Sequence, residues 1–299
     1  MDYSDPNAFT LPYQLTKQLH RDVHPLLEPT QPELSAKGKT VLITGVSGGI
    51  GKVIAESWAT AGASGIVITG RKADVIQSIA TGLKGLAAPS TRILAKEADI
   101  TDEASVAALF AAVKDEIGKI DVLVNSAGSL EPGMVGAVEP TKFFNDFQVN
   151  TLGSYLMTHY FLAQAEGAGT VVSLITGAIG NVFPGMGGYT ASKLAFVRIV
   201  ENLHVEQPGV RFFMLIPGLV QTEMTVDSLK PYAKDSAGLS GGWSLFLSTP
   251  RAEWMRGGIV SVNWDIEEME AHKDEIVRDN LLSRAFLNAK LGKDGHPWS

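Results

Sequence analysis

Tyr189 and Lys193 are the residues whose types and spacing most directly suggest chemistry. They stand four positions apart in a segment that reads as a helix, so both side chains leave one face of that helix. Lowering a tyrosine pKa from ~10 to about 7 takes roughly 4 kcal/mol. One positive charge about 4 Å away supplies on the order of 4 kcal/mol at an effective dielectric of ~20. The pair therefore predicts a tyrosine acid–base whose pKa is lowered by the lysine, with a cationic cofactor ring adding to the effect.

The same spacing occurs at Tyr13 and Lys17, in a Pro-rich segment with no strand before it. An isolated match of this kind favours an ordinary surface pair. Tyr189 differs because the apolar, β-branched run 170–176 precedes it and reads as a short buried strand. A loop containing Gly and Pro joins that run to the helix, which predicts that the phenol faces a strand end.

Composition narrows the class of protein. Hydrophobic residues make up 45% of the chain and charged residues 19%, which is typical of a globular domain with a sizeable core. The net charge of −7, without a Lys/Arg cluster, argues against nucleic acid and anionic membranes as partners. The absence of cysteine excludes disulfides and thiol catalysis. With no apolar run of ~18 residues and no signal-peptide pattern, we expect a cytoplasmic protein without membrane contact.

Strand-like and helix-like segments alternate from residue 39 onward. This alternation predicts an α/β fold in one domain, a doubly wound parallel sheet with helices on both faces. Ligands of such sheets bind beyond the carboxyl ends of the strands. The predicted strands are 41–44, 65–70, 92–96, 121–124, 170–175, 210–216 and 259–263, and the predicted helices are 52–62, 103–117, 141–165 and 189–205.

Residues 1–37 form a Pro-rich extension, which we expect to lie across the fold or a neighbouring subunit. The core domain is placed at 38–264, and a polar helical extension at 265–299. His20 and His24 stand four apart, as a metal pair would, but no third ligand is in view. We therefore expect a structural role for both and no metal site.

A Gly-rich turn follows the first strand. Gly45, Gly49 and Gly51 would let the backbone approach a phosphate, with amides of the next helix facing the anion. About 20 residues further on, an acidic residue would hold the ribose hydroxyls of NAD, whereas an arginine suits the 2′-phosphate of NADP. Arg71 followed by Lys72 therefore favours NADP(H) over NAD(H). The alternative is a surface arginine at a loop tip.

Three further features of the sequence lie at strand ends or inside a helix: Asp99, the turn 125–128 and Asn150. Asp99, followed by Ile100, could hold the adenine amino group or simply cap a helix. The turn 125–128 offers small residues against which a ring or ribose could lie. Asn150 falls inside the predicted long helix, where an amide needs a partner such as water or a distorted backbone, or else is polar filler.

Taken in order, these motifs resemble the short-chain dehydrogenase/reductases, in the single-domain subgroup with this glycine spacing. The resemblance covers about 37–263. It implies a Rossmann-type sheet of about seven strands, and it is specific for fold and cofactor class rather than substrate. The matching motifs are Thr44-Gly-x-x-x-Gly-x-Gly51, Asn-x-Ala-Gly at 125–128, Asn150, Tyr189-x-x-x-Lys193, and Pro217-Gly218 with Thr222.

The resemblance implies roles for individual residues. Tyr189 would exchange a proton with the substrate oxygen, Lys193 would lower its pKa and bind the nicotinamide ribose, and Asn150 would hold a water of the proton relay. Thr222 would hold the nicotinamide carboxamide. The implied cofactor-binding set is Gly45, Ser47, Gly49, Ile50, Gly51, Arg71, Lys72, Asp99, Ile100, Asn125, Ala127, Gly128, Tyr189, Lys193, Pro217, Gly218, Val220 and Thr222.

The chain departs from the family pattern in two places. The family has a serine where this chain has Thr176, which keeps the hydroxyl but adds a methyl that takes space beside the substrate. Ser173 is no substitute, because it lies in mid-strand. After the last strand, where the family has Gly-Gly, the chain reads Asn263-Trp-Asp and continues. This C-terminal segment, together with the Pro-rich extension, resembles the fungal variants of the family and suggests a role in secondary metabolism. It puts assembly through the usual C-terminal face in doubt.

Segment 221–256 corresponds to the mobile substrate loop of the family. Its apolar side chains predict a lid over a dry site, and hence a hydrophobic or aromatic carbonyl substrate rather than a sugar. The alternative is that they pack on the core. The side chains are Met224, Leu239, Trp243, Phe246, Leu247 and Trp254, with Gly238, Gly241 and Gly242 as possible hinges.

Helix 141–165 is apolar on more than one stripe, which indicates a second buried face. We expect a homodimer through this helix and helix 189–205, as in the family, or a homotetramer. The apolar residues are Phe143, Phe144, Phe147, Leu152, Leu156 and Phe161.

The sequence thus favours an NADPH-dependent carbonyl reductase or alcohol dehydrogenase. A nucleotide sensor that keeps the fold without turnover is the alternative, although it would need neither Tyr189 nor Lys193. An isomerisation or cyclisation that uses the reduced cofactor is a third possibility.

Overall fold

A computed structural model of the chain describes residues 4–285. Within them, seven strands form one parallel sheet in the order β3-β2-β1-β4-β5-β6-β7. The α/β, doubly wound prediction is therefore confirmed. The strands are β1 (Thr40–Thr44), β2 (Gly65–Gly70), β3 (Arg92–Glu97), β4 (Val122–Asn125), β5 (Gly169–Leu174), β6 (Val210–Ile216) and β7 (Ile259–Ser261).

Strand β1 shows why the sheet needs helices on both faces. All of its residues are buried: Val41 and Ile43 point into one core layer, and Leu42 into the other. Its neighbours are β2 on one side and β4 on the other, so the strand order reverses beside it. A crevice opens at such a reversal, beyond the carboxyl ends of the strands.

The helices cover the sheet on both faces. Asp102 caps α3, because its carboxylate accepts a 3.0 Å hydrogen bond from the Ser105 amide. Helix α2, which follows β2, was absent from the predicted elements. The helices are α1 (Gly49–Thr60), α2 (Ala73–Lys84), α3 (Glu103–Glu116), α4 (Pro140–Phe147), α5 (Ser154–Ala165), α6 (Gly187–Glu206), α7 (Ala237–Leu247), α8 (Ile266–Ala271) and α9 (Lys273–Arg278).

The single long helix predicted for 141–165 is wrong in one respect. A π-helical turn, Gln148–Gly153, separates α4 from α5. Asn150 lies in this turn, where its side chain is fully buried and hydrogen-bonded to groups outside the helix. Widening the helix at one turn is a recurrent feature of functional sites, and here it lets Asn150 reach inward.

Helix α7 replaces most of the predicted apolar lid. Leu239, Trp243, Phe246 and Leu247 are buried in the core cluster on one face of the sheet, so the alternative of core packing is correct for them. Gly241 and Gly242 are contact points rather than hinges: a Cβ at either would overlap the Ser57 side chain or the Leu27 backbone. Close approach to α1 and to the N-terminal segment therefore fixes α7.

The N-terminal segment lies across its own fold. It forms short 3-10 turns at Leu11–Tyr13, Pro25–Leu27 and Pro32–Leu34, and Leu27 and Leu34 enter the main core. We call residues 4–21 the strap. At the other end, α8 and α9 begin the predicted C-terminal extension, and the rest of that prediction, 286–299, lies outside the described residues. Across 4–285, no helix combines the length and apolar character needed to cross a membrane.

Candidate active site

A cleft of about 670 Å³ lies beyond the carboxyl ends of the central strands. Most of the residues predicted to bind a dinucleotide line it, although they come from widely separated parts of the chain. They are Gly45, Ser47, Gly49, Ile50, Gly51, Arg71, Lys72, Asp99, Ile100, Ala127, Gly128, Tyr189, Lys193, Pro217 and Thr222.

The Gly-rich turn forms the floor of this cleft through close backbone contacts. A Cβ on Gly45 would lie 2.6 Å from the Ala127 Cα, and one on Gly51 would lie 2.6 Å from the Gly45 carbonyl oxygen. Gly45 also has a φ of +69°, a conformation that favours glycine. In the described chain no side chain caps the start of α1, so its first amides remain available to an anion. The turn therefore fits a dinucleotide phosphate.

Arg71 and Lys72 are both exposed where β2 ends, at the rim of the cleft. Both cations therefore lie at the edge of the cleft, on the side where β2 ends. Asp99 lines the cleft too, but its Oδ1 accepts hydrogen bonds from the Thr101 amide at 2.9 Å and the Thr101 hydroxyl at 2.7 Å. Its carboxylate is thus shared between the turn and the cleft, and the cap of α3 is Asp102 instead.

Three predicted cofactor residues lie elsewhere. Asn125 is buried below the cleft, where its Nδ2 donates to the Thr158 hydroxyl at 3.0 Å, so it braces β4 against α5. Gly218, with a φ of +74°, and Val220 line a neighbouring apolar pocket instead of the cleft. Their loop leaves β6 and passes over the boundary between the two cavities, which is why Pro217 lines both.

The apolar pocket has a volume of about 190 Å³ and adjoins the cleft. Tyr189 lines both cavities and therefore stands at their junction. Thr222 and Met224 also line both, so of the predicted lid residues Met224 alone, within the described chain, borders the site. Carbon-rich walls favour an apolar ligand with few polar groups.

Thr176 lies where β5 ends, next to the phenol of Tyr189. It forms a side-chain hydrogen bond with Tyr189, and its Oγ1 accepts a second one, at 3.2 Å, from the Ala178 amide. Thr176 thus occupies the position predicted for the family serine. Because both hydroxyls face the apolar pocket, they can bind the same substrate oxygen.

The pKa of Tyr189 differs from the prediction. Burial raises it, the hydrogen bond with Thr176 partly offsets that rise, and the Asp146 carboxylate raises it further. The expected lowering by Lys193 is not seen: the groups that shift this pKa are Thr176 and Asp146 together with burial, and the Lys193 ammonium donates a 2.8 Å hydrogen bond to the Leu174 carbonyl. In this state Tyr189 is a neutral phenol, ready to donate its proton.

Lys193 itself is buried, with 5% of its surface exposed. Burial lowers its pKa to about 8, and the nearby Asp146 carboxylate opposes that shift. Since it lines the cleft beside Tyr189, its ammonium supplies a positive charge and hydrogen-bond donors at the junction of the cavities.

Asn150 is held in a fully bonded position. Its Oδ1 accepts from the Ser129 amide at 2.9 Å, and its Nδ2 donates to the Ser129 carbonyl at 2.9 Å and to the Ser192 hydroxyl at 3.0 Å. Ser192 in turn donates to the Tyr189 carbonyl at 2.8 Å. Asn150 thus joins the loop after β4 to α6, the helix that carries Tyr189 and Lys193.

Sequence reasoning missed Asp146. It is fully buried on α4, accepts a 2.7 Å hydrogen bond from the Ser129 hydroxyl, and acts electrostatically on both Tyr189 and Lys193. Burial raises its pKa, while the Ser129 hydrogen bond lowers it. The available signal was its spacing, since Asp146 precedes Asn150 by one helical turn and so shares its face.

The strap was also missed as a part of the site. Phe9, Thr10 and Tyr13 line the apolar pocket together with residues from β5, β6 and the substrate loop. The Tyr13 hydroxyl accepts a 2.8 Å hydrogen bond from Asn181, beyond the end of β5. Nothing in the spacing of Tyr13 and Lys17 pointed to this contact, which depends on how the strap crosses the fold.

His20 and His24 have the structural roles expected of them. The His20 Nε2 lies 2.8 Å from the Asp265 carboxylate, and the two imidazole rings stack with centroids 4.1 Å apart. Between residues 4 and 285, no group of three or more potential ligands is arranged to hold a metal.

Comparison with known proteins assigns this arrangement to a family. The family model described as short chain dehydrogenase matches residues 39–233. The short chain dehydrogenase mpl6 of Monascus purpureus is 31% identical over 273 residues, which cover 88% of this chain and 93% of the relative. The short chain dehydrogenase pigC of Monascus ruber is 31% identical over 302 residues, covering 94% and 97%.

Solved structures agree with the fold. A 7α-hydroxysteroid dehydrogenase, in complex with NADH and 7-oxo glycochenodeoxycholic acid, superimposes with a TM-score of 0.71 at 26% identity, over 77% of this chain and 95% of that one. A short-chain type dehydrogenase/reductase from Mycobacterium ulcerans gives 0.70 at 22% identity, over 84% and 100%, and supports the fold alone. With its parallel sheet, glycine turn and paired tyrosine and lysine, the chain belongs to the short chain dehydrogenase family of oxidoreductases.

Proposed function

We propose that this oxidoreductase interconverts a hydrophobic or aromatic ketone and its secondary alcohol, with NADP(H) as cofactor. The observation that carries the proposal is the position of Tyr189 at the junction of a dinucleotide-sized cleft and an apolar pocket. A proton donor at that point contacts a substrate in one cavity and faces the cofactor in the other.

The amides at the start of α1, which no side chain of the described residues caps, support the fit of a dinucleotide phosphate. Gly45 and Gly51 allow the turn between them to pack tightly against neighbouring backbone. When bound, NADP(H) supplies or accepts the hydride. Arg71 and Lys72, exposed at the rim, favour the phosphorylated cofactor. The hydroxysteroid dehydrogenase neighbour is a complex with NADH, so the preference for NADP(H) rests on Arg71 and Lys72.

The remaining parts of the reaction are assigned to individual residues. The Tyr189 phenol gives its proton to the carbonyl oxygen of the substrate, and the Thr176 hydroxyl donates a second hydrogen bond to that oxygen as negative charge develops there. Lys193 stabilises the resulting tyrosinate with its ammonium and binds the ribose side of the cofactor. Asn150 and Ser192 hold the helix that carries both residues.

The test is reduction of aromatic and alicyclic ketones by purified protein, followed as loss of NADPH absorbance. Tyr189→Phe should lower kcat by about 10²-fold or more, which is the usual contribution of a positioned acid. NADPH affinity should stay nearly unchanged, because the ring remains. A Tyr189→Phe variant with wild-type turnover would refute the assigned acid.

An NADP-binding sensor without turnover is the second candidate. It predicts tight NADPH binding, insensitive to Tyr189→Phe, with no oxidation against any ketone. The hydrogen-bonded pair of Tyr189 and Thr176 supports the enzyme instead, because two hydroxyls aimed into an apolar pocket serve a reaction rather than nucleotide recognition. The fungal origin of the Monascus relatives supports the expected place in secondary metabolism.

Assembly is part of the same proposal. Phe144 is 55% exposed, Leu152 38% and Tyr155 40%, so α4, the π-helical turn and α5 present apolar surface to the outside. Burial of such surface favours a homodimer through these helices and α6, or a homotetramer. Light scattering at micromolar concentration should give a dimeric or tetrameric mass, and a purely monomeric mass would refute this assembly.

A further inference from the structure

Three separate segments meet above the apolar pocket, and one of them is the strap. The Phe9 ring lies 4.8 Å from the ring of Tyr232 and 6.2 Å from that of Phe183, measured between centroids. Phe183 belongs to the loop after β5, and Tyr232 to the 3-10 helix Asp227–Tyr232 of the substrate loop. The strap therefore closes the pocket through aromatic contacts.

Tyr13 of the strap lies against the turn that follows the catalytic Thr176. A Cβ on Gly177 would lie 3.1 Å from the Tyr13 ring, and one on Gly180 would lie 3.4 Å from it. Gly177, at the start of the turn Gly177–Gly180, thus leaves room for the ring, and Gly180 lies at ordinary contact distance from it. Since Tyr13 and Tyr189 line the same pocket, a substrate bound at Tyr189 has the Tyr13 ring as a wall.

The polar edge of Tyr13 faces a different environment. Its hydroxyl accepts the hydrogen bond from the exposed side chain of Asn181. Burial raises the pKa of Tyr13, and the Asn181 hydrogen bond lowers it. Tyr13 thus lines the apolar pocket while its hydroxyl lies at the exposed edge, bonded to Asn181.

Hydrogen bonds hold the strap in place just after Tyr13. Thr16 accepts a 3.0 Å hydrogen bond from the Asp265 amide, the Lys17 amide donates to the Glu268 carboxylate at 2.9 Å, and Leu19 forms an antiparallel bridge with Trp264. A wall held by several bonds can select among substrates, because it does not yield to the wrong shape.

We propose that the strap is a wall of the substrate site, and that Tyr13 contacts the substrate and selects flat aromatic carbonyl compounds over saturated ones of equal size. The inference deepens the proposed function and rests on it for the identity of the pocket. Stacking on the Tyr13 face favours a planar ring, and its hydroxyl can bind a polar substituent on that ring.

The test compares tetralone, a fused aromatic ketone, with decalone, its saturated counterpart. Equilibrium binding to NADP⁺-loaded protein is measured alongside NADPH-dependent turnover. Tyr13→Leu removes the aromatic face but keeps an apolar side chain. It should weaken tetralone binding by about twofold to tenfold, as expected for an aromatic pair, and leave decalone binding within error. Tyr13→Phe keeps the face and should keep tetralone binding.

Leu15→Ala, an exposed change on the same strap, is the control and should alter neither ligand. Equal loss in Tyr13→Leu, Tyr13→Phe and Leu15→Ala would mean that the strap only supports the fold, and would overturn the inference. So would failure of wild type to bind tetralone, or unchanged tetralone binding in Tyr13→Leu. Tetralone binding that depends on Tyr13, without turnover of any ketone, would support the wall while refuting the proposed reaction.

Discussion

The indole Nε1 of Trp264 donates a 2.7 Å hydrogen bond to the backbone carbonyl of Tyr13. The two residues are far apart in the chain: Tyr13 belongs to the strap and Trp264 to the segment after β7. Nearby, the His20 amide donates to the Asn263 carbonyl at 2.9 Å and the Asn263 side chain returns a 2.8 Å bond to the His20 carbonyl. The strap and the segment after β7 are thus partners, and Tyr13 and Asn263 both line the apolar pocket.

Trp264→Phe should lower the free energy of unfolding by about 1 kcal/mol for the lost hydrogen bond, plus a small packing loss. The catalytic consequence should be a raised KM for ketones with little change in kcat, because the strap loosens while Tyr189 stays in place. Chemical denaturation and steady-state kinetics measure both effects. Trp254→Phe, which truncates another partly buried tryptophan away from the strap, is the matched control. An equal KM change in that control would contradict the expectation.

Thr176→Ser should retain turnover within a few-fold, since the hydroxyl that bonds to Tyr189 is kept. Loss of the methyl also opens space beside the substrate, so ketones with bulkier groups next to the carbonyl should gain in kcat/KM. Thr176→Val keeps the shape and removes the donor, and should lower kcat by about 10²-fold or more. Both variants are compared through kcat for the same ketone series. Similar kcat values for Thr176→Ser and Thr176→Val would show that the hydroxyl at position 176 does not contribute to catalysis.

Arg71→Ser should weaken NADPH binding by roughly tenfold to a hundredfold, the value of one charge-assisted hydrogen bond. NADH binding should change little, because NADH lacks the 2′-phosphate. Dissociation constants from fluorescence titration provide the measurement. Arg92→Ser, at the opposite end of the neighbouring strand β3, controls for the loss of an exposed cation. Equal losses for both cofactors would indicate that Arg71 supports the fold of the rim instead of reading the phosphate.

The lowered pKa of Lys193 predicts a pH-dependent stability. Between about pH 8 and the ordinary lysine value of 10.5, the native state releases a proton that the unfolded state retains. The unfolded state then binds more protons, so stability rises with pH across this window. Relative to Lys193→Met, which does not titrate, cofactor-free wild type should gain up to about 3 kcal/mol toward pH 10. Urea unfolding at several pH values measures the difference, and a constant difference would refute the shifted pKa.

Most of the fold could be predicted from local sequence patterns. Runs of β-branched residues predicted the strands, and the alternation of strand and helix predicted a parallel sheet. The Gly-rich turn after β1 and the Tyr189–Lys193 spacing predicted the cofactor site and the proton donor. Such features depend on residues that are near in the chain, so periodicity and turn chemistry reveal them. The cofactor cleft followed from the rule that strand ends share one edge of a parallel sheet.

Tertiary structure decided what depends on long-range contact. Residues 239–247 are equally apolar whether they form a lid or a core helix, and only the fit of Gly241 and Gly242 against Ser57 and Leu27 selects the core. Asn125 points below the cleft because Thr158 lies there. The pKa of Tyr189 follows from its burial and from Asp146, a residue that no motif marked.

The sequence by itself determined the strands, the Gly-rich turn and the pairing of Tyr189 with Lys193, because each depends on residues that are close along the chain. Tertiary structure decided that the strap lines the apolar pocket. Tyr13 and Trp264 are joined by one hydrogen bond between a backbone carbonyl and a distant indole. Every residue has a backbone carbonyl, so the residue type at position 13 could not predict this contact. The contact forms only because the folded chain brings the two segments together.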